Sequence, residues 1–151
     1  MPIQQLTRDL ADRIIDDYGR AWTQRDDSLL PLIFTDDVVY KEGLNEPMVG
    51  LSSVEGYWRT KVKGDQSNIQ FERIKDVVQG NTIVARWRAE FDSIREGHVR
   101  LEETAWIEVR WIEEDGRYKI SKLEETYAAV TETEERYVRM LQERLGFSQK
   151  N

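Results

Sequence analysis

The stretch YGRAWTQRDDSLLPLIFTDDVVYKEGLNEPMVGLSSVEGYW, Tyr18 to Trp58, orders a helix, an acidic turn, a strand, a Pro–Gly loop and a second helix ending in aromatics. Upstream and into it, Leu6, Leu10, Ile14 and Tyr18 recur every four positions, flanked by Ile15 and Trp22. That spacing is one face of a helix, predicted over residues 6–25, with Tyr18 on the buried side one turn before Trp22. Asp26, Asp27 and Ser28 are N-cap candidates for a short helix, Leu29 to Phe34, in which Pro31 is tolerated because it falls in the first turn. Asp36 and Asp37 are expected to stop that helix. A strand then follows, Val38 to Glu42, with Tyr40 and Glu42 on one face. Gly43, Pro47 and Gly50 mark a loop. Ser52 with Glu55 has the pattern of a capping box for a helix that sets Val54, Trp58 and Val62 on one side.

From Asn68 the period changes to two, and four strands are predicted near residues 68–79, 81–92, 98–112 and 117–127. Gly80-Asn81, Ser93–Gly97 and Asp115-Gly116 supply the turns. Pairing Phe91 with Val99 sets Glu90 against Arg100 and Arg88 against Glu102, opposite charges in register worth roughly 0.2–1 kcal/mol each. Val84 and Trp106 then pair on the same charged face. Glu132 to Leu145 reads as a closing helix, with Thr131 and Glu134 as a capping box, Gly146 as a C-cap and Tyr137, Leu141 and Leu145 as its apolar stripe. No linker or internal repeat divides the chain. The 151 residues are expected to form one α+β domain, with a core over about 6–127 and an added C-terminal helix at about 131–146.

The formal net charge is −7, from 22 basic and 29 acidic residues, which disfavours nucleic acid and anionic membranes as partners. With no cysteine, thiol catalysis and zinc ribbons are excluded. No apolar run approaches the ~18 residues of a membrane span, and a cytoplasmic location is the expectation. No His/Asp/Glu set has metal-ligand spacing, and no phosphate loop, dinucleotide fingerprint or nucleophile elbow occurs, so neither metal nor cofactor is expected. His98, the single histidine, sits by Gly97 at a hairpin turn and reads as a surface residue.

This element order resembles the nuclear transport factor 2-like superfamily, most closely its SnoaL-like and ketosteroid isomerase-like branch. The resemblance rests on Phe34-Thr35-Asp36-Asp37-Val38-Val39-Tyr40, on the Pro47-to-Gly50 loop and on Tyr57-Trp58, and covers roughly residues 6–127. It implies a cone: a curved antiparallel sheet wrapped around the N-terminal helices and enclosing a pocket. It also implies a homodimer through the outer sheet face, where Trp106 and Val84 sit. Aligned through the Phe-x-Asp-Asp turn, Tyr18 falls on the isomerases' oxyanion tyrosine and Glu42 on their proton-moving acid, one methylene longer here. Their second, protonated acid lands near Ile107, and the nearest acid on that face is Glu103. Steroid isomerisation is therefore not the expected reaction.

A carboxylate in an aromatic pocket is poorly solvated and becomes a usable base, and a phenol aimed at the same substrate oxygen stabilises developing charge. Glu42 as base and Tyr18 as donor, in a pocket with Trp22, Tyr40, Trp58, Trp87 and Glu103, are the candidate site for an apolar, carbonyl-bearing small molecule. Plainer readings stand beside these. Tyr18 is also a natural core residue, Glu42 a solvated loop acid, and the tryptophans core or interface. Glu103, the only ionisable group on its strand face, is either catalytic or paired structurally with Lys122 or an arginine. The rival to a pocket protein is a non-catalytic dimerisation or partner-binding module of the same fold.

Overall fold

The computed structural model describes residues 5–146. Helix α1 spans Arg8–Gln24 and buries Ala11, Ile14, Ile15, Tyr18, Ala21 and Trp22. Thr7 caps it by accepting from the Leu10 backbone N–H, and Arg25 ends it in the left-handed region at φ 51°. Its guanidinium holds that turn against the body of the protein by donating to the Gln66 carbonyl at 3.1 Å. Asp26 caps a 3-10 turn at Asp27–Leu29, which passes into a single helical turn, α2, Leu30–Ile33.

Strand β1, Phe34–Glu42, begins four residues earlier than expected. Asp36 and Asp37 lie within it rather than before it. They are tolerated there because their side chains are exposed, and Asp37 takes an ion pair from Arg110 at 2.6 Å. The expected Ser52–Glu55 capping box does not form. Gly50, at φ 93°, is the N-cap of α3, Leu51–Tyr57, and its N–H ties the helix start to the Val38 carbonyl at 2.7 Å. A residue with a side chain would be strained at that angle. Helix α3 widens into a π-helical turn, Trp58–Lys63.

The sheet has the order β2-β1-β6-β5-β4-β3, with β2 at Met48–Val49, β3 at Gln66–Gln79, β4 at Thr82–Ser93, β5 at Gly97–Ile112 and β6 at Arg117–Thr131. It is curved and unclosed, and its neighbours run antiparallel except for β1 and β6, which are parallel. The sheet is therefore mixed, where the sequence suggested antiparallel pairing throughout. The β4–β5 hairpin has the expected register: Phe91 opposite Val99, Glu90 opposite Arg100, Arg88 opposite Glu102 and Val84 opposite Trp106. Strand β6 runs four residues past its expected end and enters α4, Glu132–Arg144, directly through Thr131.

The core lies between the concave sheet face and α1–α3. Trp58, Trp87, Tyr40, Phe34, Ile15 and Leu30 are among its largest fully buried side chains. Helix α4 buries none of its residues. No helix among the described residues is long and apolar enough to cross a membrane.

Candidate functional site

A cavity of about 300 Å³ lies between the helices and the sheet. Its polar wall is built by four elements. Helix α1 brings Tyr18, β1 brings Tyr40 and Glu42 on one face, α3 brings Tyr57, and β6 brings Glu125. The parallel β1–β6 seam sets Tyr40 opposite Leu123 and Glu42 opposite Glu125.

These groups form one hydrogen-bonded chain. The Tyr18 hydroxyl donates to Glu125 Oε1 at 2.8 Å and lies 3.1 Å from the Tyr40 hydroxyl. Tyr40 Oη is 3.2 Å from Glu42 Oε1 and 3.4 Å from Glu125 Oε1. Tyr57 Oη donates to Glu42 Oε2 at 2.5 Å. At the buried end, Trp87 Nε1 donates to Glu103 Oε1 at 3.1 Å, and the Glu103 and Glu125 carboxyls hydrogen-bond each other.

Glu103 and Glu125 are only 4% and 3% exposed. Burial pushes both carboxyls above the usual range, and Glu125 well above it, since the Glu103 and Glu42 charges add to its desolvation. Two carboxyls in contact without a cation cannot both ionise cheaply. The pair accordingly holds a proton to higher pH than an ordinary carboxylate would. Burial also pushes the Tyr18 and Tyr40 phenols well up, so both remain donors.

Of the residues singled out from sequence, Tyr18, Trp22, Tyr40, Glu42, Trp58 and Glu103 line this cavity. Trp87 does not. It stands behind the wall, 5.4 Å from the Tyr18 ring, and holds Glu103. Trp22 donates to Gln66 Oε1 at 2.8 Å, whereas the Trp58 indole N–H is buried without an acceptor. Glu42 is half-buried and fixed by two phenols, not a loop acid in open water. The Tyr18 hydroxyl is spent on Glu125 instead of projecting free. Glu103 has neither Lys122 nor an arginine as partner. Lys122 lies on the outer face with Glu124 and Glu108, at 3.3 and 3.7 Å.

Glu125 and Tyr57 are the members that sequence reading did not single out. The reason for Glu125 is a β-bulge. Tyr118 and Ile120 point inward, and strict alternation would carry Lys122 and Glu124 inward after them. The register slips between Glu108 and Val109, opposite Lys122 and Ile120, and turns Leu123 and Glu125 inward instead. Tyr57 was visible beside Trp58, but its reach to Glu42 depends on where α3 crosses β1.

Among the described residues, no group of three or more His, Cys, Asp or Glu is placed to hold a metal ion. His98 is exposed, bridging Asp92 at 3.0 Å and Glu90 at 3.2 Å.

Residues 15–120 match the family described as a SnoaL-like domain. No curated protein matches the chain in sequence. Solved structures of similar shape include the Kfla4162 protein from Kribbella flavida. It has a TM-score of 0.71 and 17% identity, with 85% of this chain and 94% of that chain covered. An LEH-like epoxide hydrolase from M. tuberculosis has a TM-score of 0.64 and 12% identity, covering 80% and 84%. A protein with a ketosteroid isomerase-like fold from Catenulispora acidiphila DSM 44928, in complex with trimethylamine, has a TM-score of 0.64 and 17% identity, covering 76% and 85%.

Proposed function

The chain belongs to the SnoaL-like domain family, and from that premise we propose that its cone is a small-molecule site for cofactor-free acid–base chemistry on an apolar, carbonyl-bearing ligand. One observation carries this reading. Three glutamates and three tyrosine hydroxyls converge in a single hydrogen-bonded chain on one cavity. Buried carboxyls that share a proton concentrate where proton transfer is the task.

In this reading Glu42 is the base. Its oxygens face the cavity and are aimed by Tyr40 and Tyr57. It takes a proton from the carbon next to the ligand carbonyl, and the C–H electron pair becomes the enolate π bond. Returning the proton to a different carbon completes an isomerisation. A water deprotonated in the same place would serve a hydrolytic reaction. Returning that proton restores the Glu42 carboxylate, and Glu125, linked through Tyr40, helps to hold that phenol in place. Tyr18 acts through Glu125 and is a positioning residue.

The test is α-carbon hydrogen–deuterium exchange of cyclic ketones and enones in D₂O, followed by proton NMR. Exchange above the buffer rate is expected, and Glu42→Gln should reduce it by about 10²–10⁴ while leaving the melting temperature nearly unchanged. Exchange that survives the substitution removes Glu42 as base. A panel in which no ketone exchanges or shifts the melting temperature removes the carbonyl reading.

A second reading has its own support. Val77, Val84 and Trp106 stand opposite one another across β3, β4 and β5 on the outer face, and Trp106 is 48% exposed. We propose that a second copy covers this row across a two-fold axis. Light scattering should give a dimer that Trp106→Glu converts to monomer, and a monomeric parent protein would end the idea.

A further inference from the structure

The cavity wall is unusual in what it withholds. It carries five carboxyl groups, Glu42, Glu96, Glu103, Glu125 and Glu134, against one ammonium, Lys61. Lys61 also borders the neighbouring hollow with Asp65 and Arg95, so it stands on the rim. The three hydroxyls of Tyr18, Tyr40 and Tyr57 are already donated to carboxyls. What the wall offers a ligand is chiefly carboxylate charge and ring faces, with the Asn45 and Gln66 amides and the Tyr127 hydroxyl beside them. Seven aromatic side chains line the hollow. The Tyr40 and Tyr57 rings, whose centroids are 6.1 Å apart at 45°, flank the Glu42 carboxylate they both grip. One buried donor of the wall lacks an acceptor, the indole N–H of Trp58, which is 1% exposed.

Ring faces attract positive charge through their quadrupole, and a nearby carboxylate adds Coulomb attraction that low solvent access strengthens. A buried N–H without a partner is costly and is relieved by an acceptor. We propose that the cavity takes a small organic ammonium that also bears an acceptor oxygen, with the cation at the Tyr57 ring beside Glu42 and the oxygen toward Trp58. The acidic rim residues Glu96 and Glu134 steer such a cation in, and the same field turns anions away. This rests on the reading of the cavity as a ligand site. It does not require Glu42 to be a base.

Three probes of matched shape test it by calorimetric titration: choline, its neutral isostere 3,3-dimethylbutan-1-ol and the anion 3,3-dimethylbutanoate. Choline should bind about tenfold or more tighter than the alcohol. The anion should give no binding at concentrations up to about 10 mM. Glu42→Gln should weaken choline about fivefold and leave the alcohol unchanged. Equal binding of choline and the alcohol overturns the ammonium inference while leaving the cavity as a ligand site. So does a loss for both probes in Glu42→Gln. Absence of choline binding, or preference for the anion, also overturns it. The ketone exchange experiment reports on the acid–base reading separately.

Discussion

Glu103 and Glu125 sit against each other beneath the cavity, carboxyl to carboxyl, both buried and neither touched by a cation. Their shared proton makes stability depend on pH in a definite direction. Burial raises both folded-state values above the ordinary glutamate value of about 4.3, so the folded protein holds more protons than the unfolded chain in the window above it. Stability contributed by the protonated form is full below that unfolded value and is lost as pH rises toward the folded one. Each tenfold displacement of the proton equilibrium carries about 1.4 kcal/mol. Glu125→Gln offers the same donor to Glu103 and the same acceptor to Tyr18 without a titrating proton. The variant should melt higher than the parent at about pH 8 and show a flatter pH profile. Calorimetry across the range decides, and parallel profiles would refute the shared proton.

Tyr18→Phe keeps the ring against Trp87 and removes only the hydroxyl. Glu125 Oε1 is then left with the long 3.4 Å contact from Tyr40. Leaving a buried acceptor underfilled should cost about 1–2 kcal/mol in urea unfolding. A neutral substitution would mean that water takes the place of the phenol.

Arg73 joins α1 to β3, reaching Asp12 at 2.6 Å, Asp16 at 2.9 Å and the buried Asp76 at 3.0 Å. Arg73→Met retains the stem and leaves Asp76 with Arg8 alone, at 3.0 Å. The expected loss is about 2–3 kcal/mol, because one partner of a buried charge has gone. High salt should not restore it, since the remaining carboxylate is shielded from the solvent. Recovery in salt would show that the network acts from the surface.

Thr131 accepts from the Glu134 N–H at 3.1 Å, and Glu134 answers to the Thr131 N–H at 2.9 Å. Thr131→Ala should weaken α4 by about 1 kcal/mol. Helix α4 buries nothing, so global melting should barely move while amide exchange rises through residues 132–144. A matching fall in global stability would show α4 to be part of the cooperative core.

Periodicity carried most of the architecture. The helical stripe ending at Tyr18 and Trp22 and the charge-matched β4–β5 pairing were written in spacing alone, because each rests on a local repeat. Tyr40 and Glu42 sharing a face follows from the same rule. What spacing could not convey was the β6 bulge, which inverts the faces after Ser121 and brings Glu125 inward. A one-residue slip leaves no mark in composition. Nor could it convey that the Tyr18 hydroxyl is spent on Glu125, because those residues are 107 positions apart and meet only where α1 packs against β6.

The parallel β1–β6 seam has a consequence for how the protein is made. Apart from the two-residue β2, the partner of β1 is β6, which leaves the ribosome only after α3 and β3 to β5 have been made. Until it docks, most of one edge of β1 stays open and the proton-sharing pair does not exist. Synthesis therefore withholds the chemistry until β6 has emerged, and a nascent chain halted before residue 117 would expose β1 to pairing with strangers.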